Sequence, residues 1–537
     1  MGRKVLAAKS GRAACSCAAA GGGCSVGVFN AEKQSSREAE SFLTGLTGFT
    51  GLREASVKPA KTKPSGVAWI GDVPEGWEVR RLRYLAEITT GNKDTQDAQP
   101  DGNYPFYVRS PVIERSNEYT FEGPGIMMAG DGAGAGRIFH YADGKYAVHQ
   151  RVYLIYDFKD VTAYFLLYFL GAMFPLEMDK GSAQSTVPSV RLPMLRDLQV
   201  SLPPLPVQRA IAAYLDEKCG AIDAAIAEAK KGIEEYKAWK KSLIFEVVTG
   251  KRRIGFFNAE SKCARDEVVG LPERSEPEGL QGAASRRGPE SFSTGLTRFT
   301  GLEENLDNLV NPVKTKPSGI PWIGDVPVGW KVMKLRRLGI FANGISKGGE
   351  FFGKGSPFVS YSDVYKNEAL PTVVKGRLHS TPEEQEKYSV KKGDVFFTRT
   401  SETIDEIGFA STCMENISQA TFAGFLIRFR PTGSEILPSF SKYYFRNKLV
   451  SEYFAKELVM VTRASLGQEL LKSLPVMLPP IPEQRAIADY LDEKCAAIDK
   501  MVAEKEALIA DLEAYKKSLI YETVTGKREV ASNSMVK

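Results

Sequence analysis

The sequence contains one stretch twice, and this repeat constrains the fold more than any other feature. The first copy, Pro203 to Cys219, reads PPLPVQRAIAAYLDEKC, and the second copy, Pro479 to Cys495, reads PPIPEQRAIADYLDEKC. The offset between the copies is 276 residues (495 − 219). An internal repeat of this kind predicts two copies of one structural unit, and therefore a pseudo-two-fold architecture.

Each copy opens a long helical pattern. Apolar or tolerated residues recur in alternating steps of four and three from Ile211 to Val247, and again from Ile487 to Thr523. A sustained period of this kind is typical of a coiled-coil seam, and the prolines before each pattern suit a first helical turn. A lone helix would expose its seam, so we expect the two helices to pair in antiparallel fashion. The same spacing places five lysines on the seam, Lys218, Lys240, Lys494, Lys505 and Lys516.

A second repeated motif precedes each of two dissimilar regions. KTKPSG leads into WIGDVP at 61–74 and again at 314–327, and a further tryptophan follows each copy. Glycine and proline turns would let these tryptophans pack, so the motif is predicted to be structural. The regions that follow share almost no sequence, although their borders are close copies. This pattern indicates one scaffold that presents two different binding domains. Strands are predicted at 78–88 and 331–340, and apolar helices at 163–174 and 440–454.

These patterns predict an α+β chain in which two globular α/β domains are separated by two long helices that form an antiparallel coiled coil. The N-terminal segment is expected to be disordered or loosely folded, and a linker of similar composition is expected between the repeats. The predicted boundaries are 1–60 for the N-terminal segment, 61–202 for the first domain, 203–254 for the first helical spacer, 255–313 for the linker, 314–478 for the second domain, 479–530 for the second helical spacer and 531–537 for the tail.

Composition excludes several classes of protein. A net charge of +6 is only mildly basic, and the cluster Arg80, Arg81 and Arg83 is a stronger local hint of nucleic-acid binding than the total. The seven cysteines are too scattered for a disulfide framework, which favours a reducing cytoplasm. Cys15, Cys17 and Cys24 are close together but lack nearby histidines, so no metal site is predicted. The most apolar run is well short of the ~20 residues that a bilayer requires, and no signal peptide is predicted.

Catalytic machinery is not evident in the sequence. There is no phosphate-binding GxxxxGK(S/T) loop, no HExxH motif and no paired CxxC motif. The glycine-rich stretch from Gly132 to Gly136 resembles a dinucleotide fingerprint, but a β-like stretch follows it, so no helix N-terminus would hold a pyrophosphate. Two polar-tipped domains on a rigid spacer instead suit bipartite recognition of duplex DNA.

The repeated motifs are similar to those of the specificity (S) subunits of type I restriction–modification systems. The resemblance is carried by WIGDVP, by the PP(L/I)PxQRAIAxYLD helix start and by the KSLIxExVTGK helix end, and it covers about residues 61–254 and 314–530. It implies that the two domains are target recognition domains, each binding one half of a split DNA site. It also implies that the helices set the spacing and dock two methylation (M) subunits and the restriction (R) subunits. This chain would then be a non-catalytic cytoplasmic protein without cofactors of its own, with S-adenosylmethionine, ATP and Mg²⁺ on the partner subunits.

Candidate DNA-binding residues are polar or basic residues in the predicted loops of the two domains. Such side chains contact base edges or phosphates in protein–DNA complexes. Arg137 and Arg399 stand out because they occupy turns at comparable strand ends. Arg209 and Arg485, at identical repeat positions, are expected to cap or pair within the scaffold. The candidates are Lys93, Arg109, Arg137, Gln184, Ser185 and Arg191 in the first domain, and Lys347, Arg399, Thr400, Ser401 and Arg463 in the second.

Two other functions fit parts of the pattern. A coiled-coil scaffold that binds only proteins would account for the helices without any DNA specificity. A stand-alone enzyme with unfamiliar carboxylate chemistry is the other alternative. Salt-dependent binding of the assembled complex to duplex DNA would separate the first from a DNA-recognition subunit, and a test of the purified chain for methyl transfer or nicking would identify the second.

Overall fold

The structure is a computed structural model that describes residues 61–181, 188–254, 314–401, 406–457 and 464–530. The N-terminal segment, the central linker and the three clustered cysteines of the N-terminus lie outside the described residues. The chain divides into two compact units, Met1–Glu228 with Ala507–Lys537, and Ala229–Glu506. Each unit therefore combines one globular domain with part of each long helix.

The first unit contains a mixed α/β domain built on two four-stranded sheets. Its strands are β1 (Thr62–Pro64), β2 (Asp72–Pro74), β3 (Glu78–Arg81), β4 (Glu87–Thr90), β5 (Tyr104–Tyr107), β6 (Glu114–Ser116), β7 (Phe121–Glu122), β8 (Gly125–Ala129), β9 (Phe139–Ala142), β10 (Lys145–Val148), β11 (Val152–Tyr156) and β12 (Gln199–Leu202). Its helices are α1 (Ala163–Gly181), α2 (Leu192–Asp197) and the start of α3 (Leu205–Val248).

The two sheets of the first domain have distinct connections. One is antiparallel with strand order β4-β11-β8-β9, and the other has the order β6-β5-β10-β7 with a parallel pair β5 and β10. Helix α1 contributes the buried Phe165, Phe169 and Phe174 to a core that also includes Ile126 and Met128 of β8. The apolar helix predicted here is confirmed, and it extends beyond the predicted end at residue 174.

The second unit contains a domain of the same design. Its strands are β13 (Thr315–Pro317), β14 (Asp325–Pro327), β15 (Lys331–Lys334), β16 (Gly339–Asn343), β17 (Phe352–Val359), β18 (Arg377–Leu378), β19 (Val395–Thr398), β20 (Thr400–Ser401), β21 (Ala410–Thr412), β22 (Thr421–Phe422), β23 (Leu426–Pro431), β24 (Ala464–Ser465) and β25 (Pro475–Leu478). Its helices are α4 (Tyr361–Lys366), α5 (Pro382–Lys387), α6 (Pro438–Tyr444), α7 (Lys448–Glu457), α8 (Gln468–Ser473) and α9 (Ile481–Val524), and the end of α9 belongs to the first unit.

The two domains share most of their strand topology although their sequences differ, and the second sheet has four strands in the first domain and three, β18-β17-β22, in the second. The antiparallel sheet has the order β16-β23-β19-β21, which matches β4-β11-β8-β9 position by position. The second sheet repeats the parallel pair, with β17 beside β22 as β5 lies beside β10. Bridges outside the strands also correspond, because Lys93 pairs with His149 as Ile345 pairs with Ala423. The prediction of a scaffold that presents two different domains is therefore refined, since the domains are variants of one fold.

The two long helices pair within each unit, and the pairing is antiparallel as predicted. In the first unit, Ile222 and Ile226 near the start of α3 share a core with Leu512 and Leu519 near the end of α9. In the second unit, the opposite ends of the same helices meet, with Val247 of α3 in one core with the start of α9.

Ion pairs across the seam explain two of the predicted seam lysines. Lys240 Nζ lies 2.8 Å from the Asp499 carboxylate, and Lys516 Nζ lies 2.7 Å from that of Asp223. The repeat offset relates one pair to the other (499 − 223 = 276 and 516 − 240 = 276). The side chains of Lys218 and Lys494 are also mostly buried, at 19% and 26% exposed. Each lies beside a buried cysteine, Cys219 or Cys495.

A buried glutamine fixes the start of each long helix. The Gln208 side chain accepts a hydrogen bond from Thr162 N at 2.7 Å and donates to Asp160 O and Pro203 O. Gln484 makes the corresponding bonds to Leu437 N, Glu435 O and Pro479 O. Each glutamine therefore ties the helix start to the loop before the domain's own apolar helix.

The arginine that follows each glutamine does not act as predicted. Arg209 and Arg485 are both exposed, and neither guanidinium makes an ion pair or hydrogen bond within the described residues. The prediction that they cap or pair within the scaffold is wrong, because both side chains are exposed and neither bonds to a described residue.

Three predicted elements are interrupted. The strand expected at 78–88 is two strands, β3 and β4, separated by a 3-10 turn at Leu82–Tyr84, and the strand expected at 331–340 is divided in the same way. The helix expected at 440–454 is also two helices, α6 and α7. Asn447 separates them, since its side-chain oxygen accepts a hydrogen bond from Leu449 N at 2.7 Å and so begins α7 with a cap.

Candidate nucleic-acid interface

Loops of the first domain gather at one end of its two sheets. Gln150 N, between β10 and β11, donates to Lys93 O at 2.8 Å, and Gly130 N, after β8, donates to Arg151 O at 2.9 Å. Asp131 forms a backbone bridge with Ser189, which precedes α2. Side chains from separate parts of the chain therefore meet at this end, which we call the tip of the first domain.

A glycine permits this convergence in both domains. A Cβ at Gly91 would lie 1.9 Å from Val148 O, and a Cβ at Gly344 would lie 2.1 Å from Ala423 O. Neither glycine needs a positive φ, so the constraint is close backbone approach alone. The sequences of the two domains retain this glycine because no side chain fits beneath the turn between the paired strands.

Asp131 is the centre of the charged cluster at this tip. Its Oδ1 accepts a hydrogen bond from Arg109 Nη1 at 2.7 Å, and its Oδ2 accepts one from Arg151 Nη1 at 3.1 Å. Partial burial opposes ionisation of Asp131, but the two guanidinium groups outweigh it and hold the pKa of the carboxyl below its usual range. The side chains of Arg109 and Arg151 are 40% and 58% exposed, so both can contact a ligand while Asp131 orients them.

His149 stabilises the turn that carries Arg151. Its side chain is buried, its Nδ1 accepts a hydrogen bond from Arg151 N at 3.0 Å, and its Nε2 lies 3.3 Å from Thr95 Oγ1. Burial and the nearby Arg109 lower the pKa of the imidazole. A neutral ring with the proton on Nε2 therefore fits the site, and His149 is structural rather than a ligand-binding group.

The other candidates of the first domain are dispersed. Lys93 lies at the tip but forms an ion pair with Glu118, and Arg137 forms one with Asp179 of α1. Arg191 is exposed at the N-cap of α2 and makes no ion pair within the described residues. Gln184 and Ser185 lie outside the described residues.

The tip of the second domain has the same backbone contacts. Arg399 N donates to Phe425 O, as Gly130 N donates to Arg151 O. Thr400 pairs with Ser465 as Asp131 pairs with Ser189. Arg399 therefore corresponds to Gly130, whereas Arg137 lies later in the connection between β8 and β9.

The side chains at this second tip are different in kind. Arg399 is partly exposed without an ion pair among the described residues, and the neighbouring Phe425 ring is 66% exposed. Tyr361 Oη donates to Thr400 O at 2.8 Å, and Gln468 Nε2 donates to Asn343 Oδ1 at 2.9 Å. Hydroxyl, amide and apolar groups thus replace the paired arginines of the first domain.

Three of the remaining candidates are less accessible or lie outside the described parts. Lys347 is largely buried, because its Nζ lies 2.6 Å from Glu384 Oε2 and 2.9 Å from His379 O. The hydrogen bond from Lys347 lowers the pKa of the Glu384 carboxyl. Ser401 is described only by its backbone in β20, and Arg463 lies outside the described residues.

Arg151, Asp131 and Phe425 are not among the candidate residues predicted from the sequence. Arg151 and Phe425 each lie in a short turn between two strands of different sheets, which no periodicity marks. Asp131 is part of the glycine-rich stretch that sequence analysis considered only as a dinucleotide fingerprint. Among the described residues, no group of histidine, cysteine, aspartate or glutamate side chains could hold a metal ion.

The sequence matches the family described as "Type I restriction modification DNA specificity domain" over residues 74–234 and 327–509, more than half of the chain. The chain belongs to this family. Each of the two matched ranges covers a domain and the beginning of the long helix that follows it. As a member of the specificity-domain family, the chain has two target recognition domains, one in each repeat. No helix of the described residues is long and apolar enough to cross a membrane.

Known relatives support the same assignment. The specificity subunit of the type I restriction enzyme MjaVIII of Methanocaldococcus jannaschii is 24% identical over 490 residues, which cover 85% of this chain and 94% of that protein. The specificity subunit of the EcoDI enzyme of Escherichia coli is 26% identical over 181 residues, and the match spans only 40% of its length. A chain from a structure on complex assembly and conformational transition of the type I R-M system has the same fold, with a TM-score of 0.56, 14% identity and coverage of 85% of this chain and 99% of that one.

Proposed function

We propose that this chain is the DNA sequence-recognition subunit of a type I restriction–modification complex, in which each target recognition domain binds one half of a bipartite site. The observation that carries this proposal is the shared tip of the two domains. One backbone framework exposes two arginines in the first domain and a different set, which includes Arg399 and Phe425, in the second. Two tips of different chemistry suit two half-sites of different sequence.

The long helices are proposed to set the spacing between the half-sites. Helices α3 and α9 have 44 residues each, which corresponds to roughly 66 Å at a rise of 1.5 Å per residue. Their seam is apolar with cross-helix ion pairs, so the pair is suited to act as a stiff spacer. The chain itself is proposed to be non-catalytic. S-adenosylmethionine, ATP and Mg²⁺ are proposed to bind the methylation and restriction subunits that dock on it.

Loss of this gene should erase a bipartite methylation motif from the host genome. Methylated adenines are mapped in strains with and without the gene, and the assembled complex is titrated with duplex DNA at several salt concentrations. If the complex neutralises phosphates, the logarithm of its affinity should fall linearly with the logarithm of the salt concentration. An unchanged methylation map together with salt-independent binding would favour the protein-interaction scaffold instead.

Arg209 and Arg485 are proposed to dock two copies of the methylation subunit. They occupy identical repeat positions and are exposed, and no described residue of this chain pairs with them. Two methylation subunits with an acidic surface, one bound to each repeat, would account for the unpaired arginine in each repeat.

Reversal of these charges should weaken that docking. In Arg209→Glu and Arg485→Glu, like charges would face the acidic surface, which costs several kcal/mol at an interface. Binding of the methylation subunit to the full chain is measured by calorimetry, and we expect a loss of about tenfold or more for each variant. Lys230→Glu is the matched control, since Lys230 is an exposed helix lysine that aligns with Glu506 in the second copy. Unchanged binding by both arginine variants would remove these residues from the interface.

A further inference from the structure

One position differs in chemistry between the two tips while its backbone is the same. Arg151 and Phe425 both lie in the turn between the parallel-paired strand and the central antiparallel strand. Arg151 O accepts from Gly130 N at 2.9 Å, and Phe425 O accepts from Arg399 N at 3.0 Å. The two side chains therefore start from equivalent points of the fold, and both are exposed.

In the first domain this position carries a guanidinium group with spare donors. Arg151 and Arg109 each use Nη1 on Asp131, and their other guanidinium nitrogens make no hydrogen bond within the described residues. A guanidinium matches the O6 and N7 acceptors of guanine in the major groove, which is the commonest specific contact between protein and DNA. Two such groups fixed by one carboxylate are preorganised for a guanine edge.

In the second domain the side chain at the same position cannot form hydrogen bonds. Phe425 is 66% exposed, and its ring makes no ring contact or cation–π contact within the described residues. Single exposed apolar side chains are common on protein surfaces, but at a proposed DNA-binding tip this ring is available to an apolar group of the ligand. In the major groove the thymine methyl group is the apolar feature that distinguishes a base pair.

On the basis of the proposed function, we infer that this shared position is a specificity determinant, with Arg151 reading a guanine in one half-site and Phe425 reading a thymine methyl group in the other. Asp131 is a positioning residue for the guanine contact. It does not touch the base, and it aligns Arg109 and Arg151 through its two carboxylate oxygens. Recognition thus changes from one domain to the other by replacement of a turn side chain on a constant backbone.

Base analogues test the guanine contact. The chain, assembled with its methylation subunit, is titrated with duplexes that carry the mapped motif, and each guanine in turn is replaced by 7-deazaguanine, which lacks N7. At one position we expect the unaltered complex to lose on the order of tenfold in affinity. Arg151→Ala should bind the normal site more weakly and lose its sensitivity to the analogue at that position.

The thymine contact is tested in the same way with uracil, which lacks the methyl group. The unaltered complex should lose about fourfold at one thymine of the other half-site, as expected for one buried methyl group. Phe425→Ala should be insensitive to that replacement. Lys159→Ala is the matched control, because Lys159 is also about half-exposed and paired with an aspartate, Asp157, but it follows the end of β11 that is opposite to Arg151. Its sensitivity to every analogue should equal that of the unaltered chain.

Asp131→Asn separates positioning from a merely structural role. Loss of the carboxylate charge should reduce the sensitivity to 7-deazaguanine, while affinity for random duplex DNA should not fall, since one negative charge near the phosphates is removed. Equal loss on cognate and random DNA, with a lowered melting temperature, would mean that Asp131 only maintains the fold.

The inference and the proposed function fail in different ways. If the motif exists but has no guanine in either half-site, or if Arg151→Ala and Phe425→Ala keep the full sensitivity of the unaltered complex to every analogue, the inference is overturned. The proposed function would then still stand. It fails only if the complex has no bipartite motif and no preference for any DNA sequence.

Discussion

Replacement of Gly91 by alanine is expected to lower the free energy of unfolding of the first unit by about 3 kcal/mol. The new Cβ would lie 1.9 Å from Val148 O and 2.6 Å from His149 O, and both atoms belong to the backbone. The turn that carries Arg151 must therefore move, so we also expect loss of specific DNA binding. Urea unfolding measures the loss of stability. Titration with a duplex that carries the mapped motif measures the loss of specific DNA binding.

Gly220→Ala is the matched control for this substitution. Gly220 lies in α3 with nothing within 4 Å of its added Cβ, and the aligned residue of the second repeat is Ala496. Alanine within a helix is favoured over glycine by about 1 kcal/mol, so this variant should be as stable as the unaltered chain or more so. A Gly91→Ala chain with normal stability and normal binding would show that the turn can move without loss of stability or of DNA binding.

Gln208→Leu is expected to destabilise the first unit by about 4 kcal/mol, since each buried polar group left unpaired costs about 1–3 kcal/mol. Leucine is similar in size but leaves Thr162 N, Asp160 O and Pro203 O without their partner. Gln484→Leu should have the same effect on the second unit. Urea unfolding gives the loss of stability, and amide hydrogen exchange at Thr162 reports directly on the broken hydrogen bond.

The control for the glutamine is Gln199→Leu in β12, whose side chain makes no hydrogen bond within the described residues. This change should alter stability by about 0.5 kcal/mol or less. If Thr162 exchanges at the same rate in the Gln208→Leu chain and in the unaltered one, the glutamine does not fix the helix start.

The helical scaffold could be predicted from the sequence because its determinants are local and repeated. The apolar period identifies the seam, and the prolines identify the helix starts. The period does not show that Cys219 and Cys495, each next to a seam lysine, are more deeply buried than the lysines. Burial of Cys219 and Cys495 then depends on the partner helix, which a single helix pattern does not contain.

The sites within the domains were harder to predict because their determinants are distant in sequence. Arg109, Asp131 and Arg151 meet only because three loops converge above the sheets. Lys347 looked like a free base-reading residue, but its environment is set by Glu384 on α5, a short helix that the sequence did not reveal. The equivalence of Arg151 and Phe425 follows from strand pairing and not from any similarity of sequence.

The division of the chain into its two units has a consequence for synthesis on the ribosome. The core of the first unit includes Ile226 and Leu512, which are separated by 286 residues (512 − 226). At a synthesis rate of roughly 5–20 residues per second, Leu512 is made on the order of tens of seconds after Ile226. The second unit, Ala229–Glu506, is continuous in sequence and can close earlier. The first unit therefore begins to be made first but is completed last. A premature stop near the C-terminus would remove part of the first unit and leave the second unit whole.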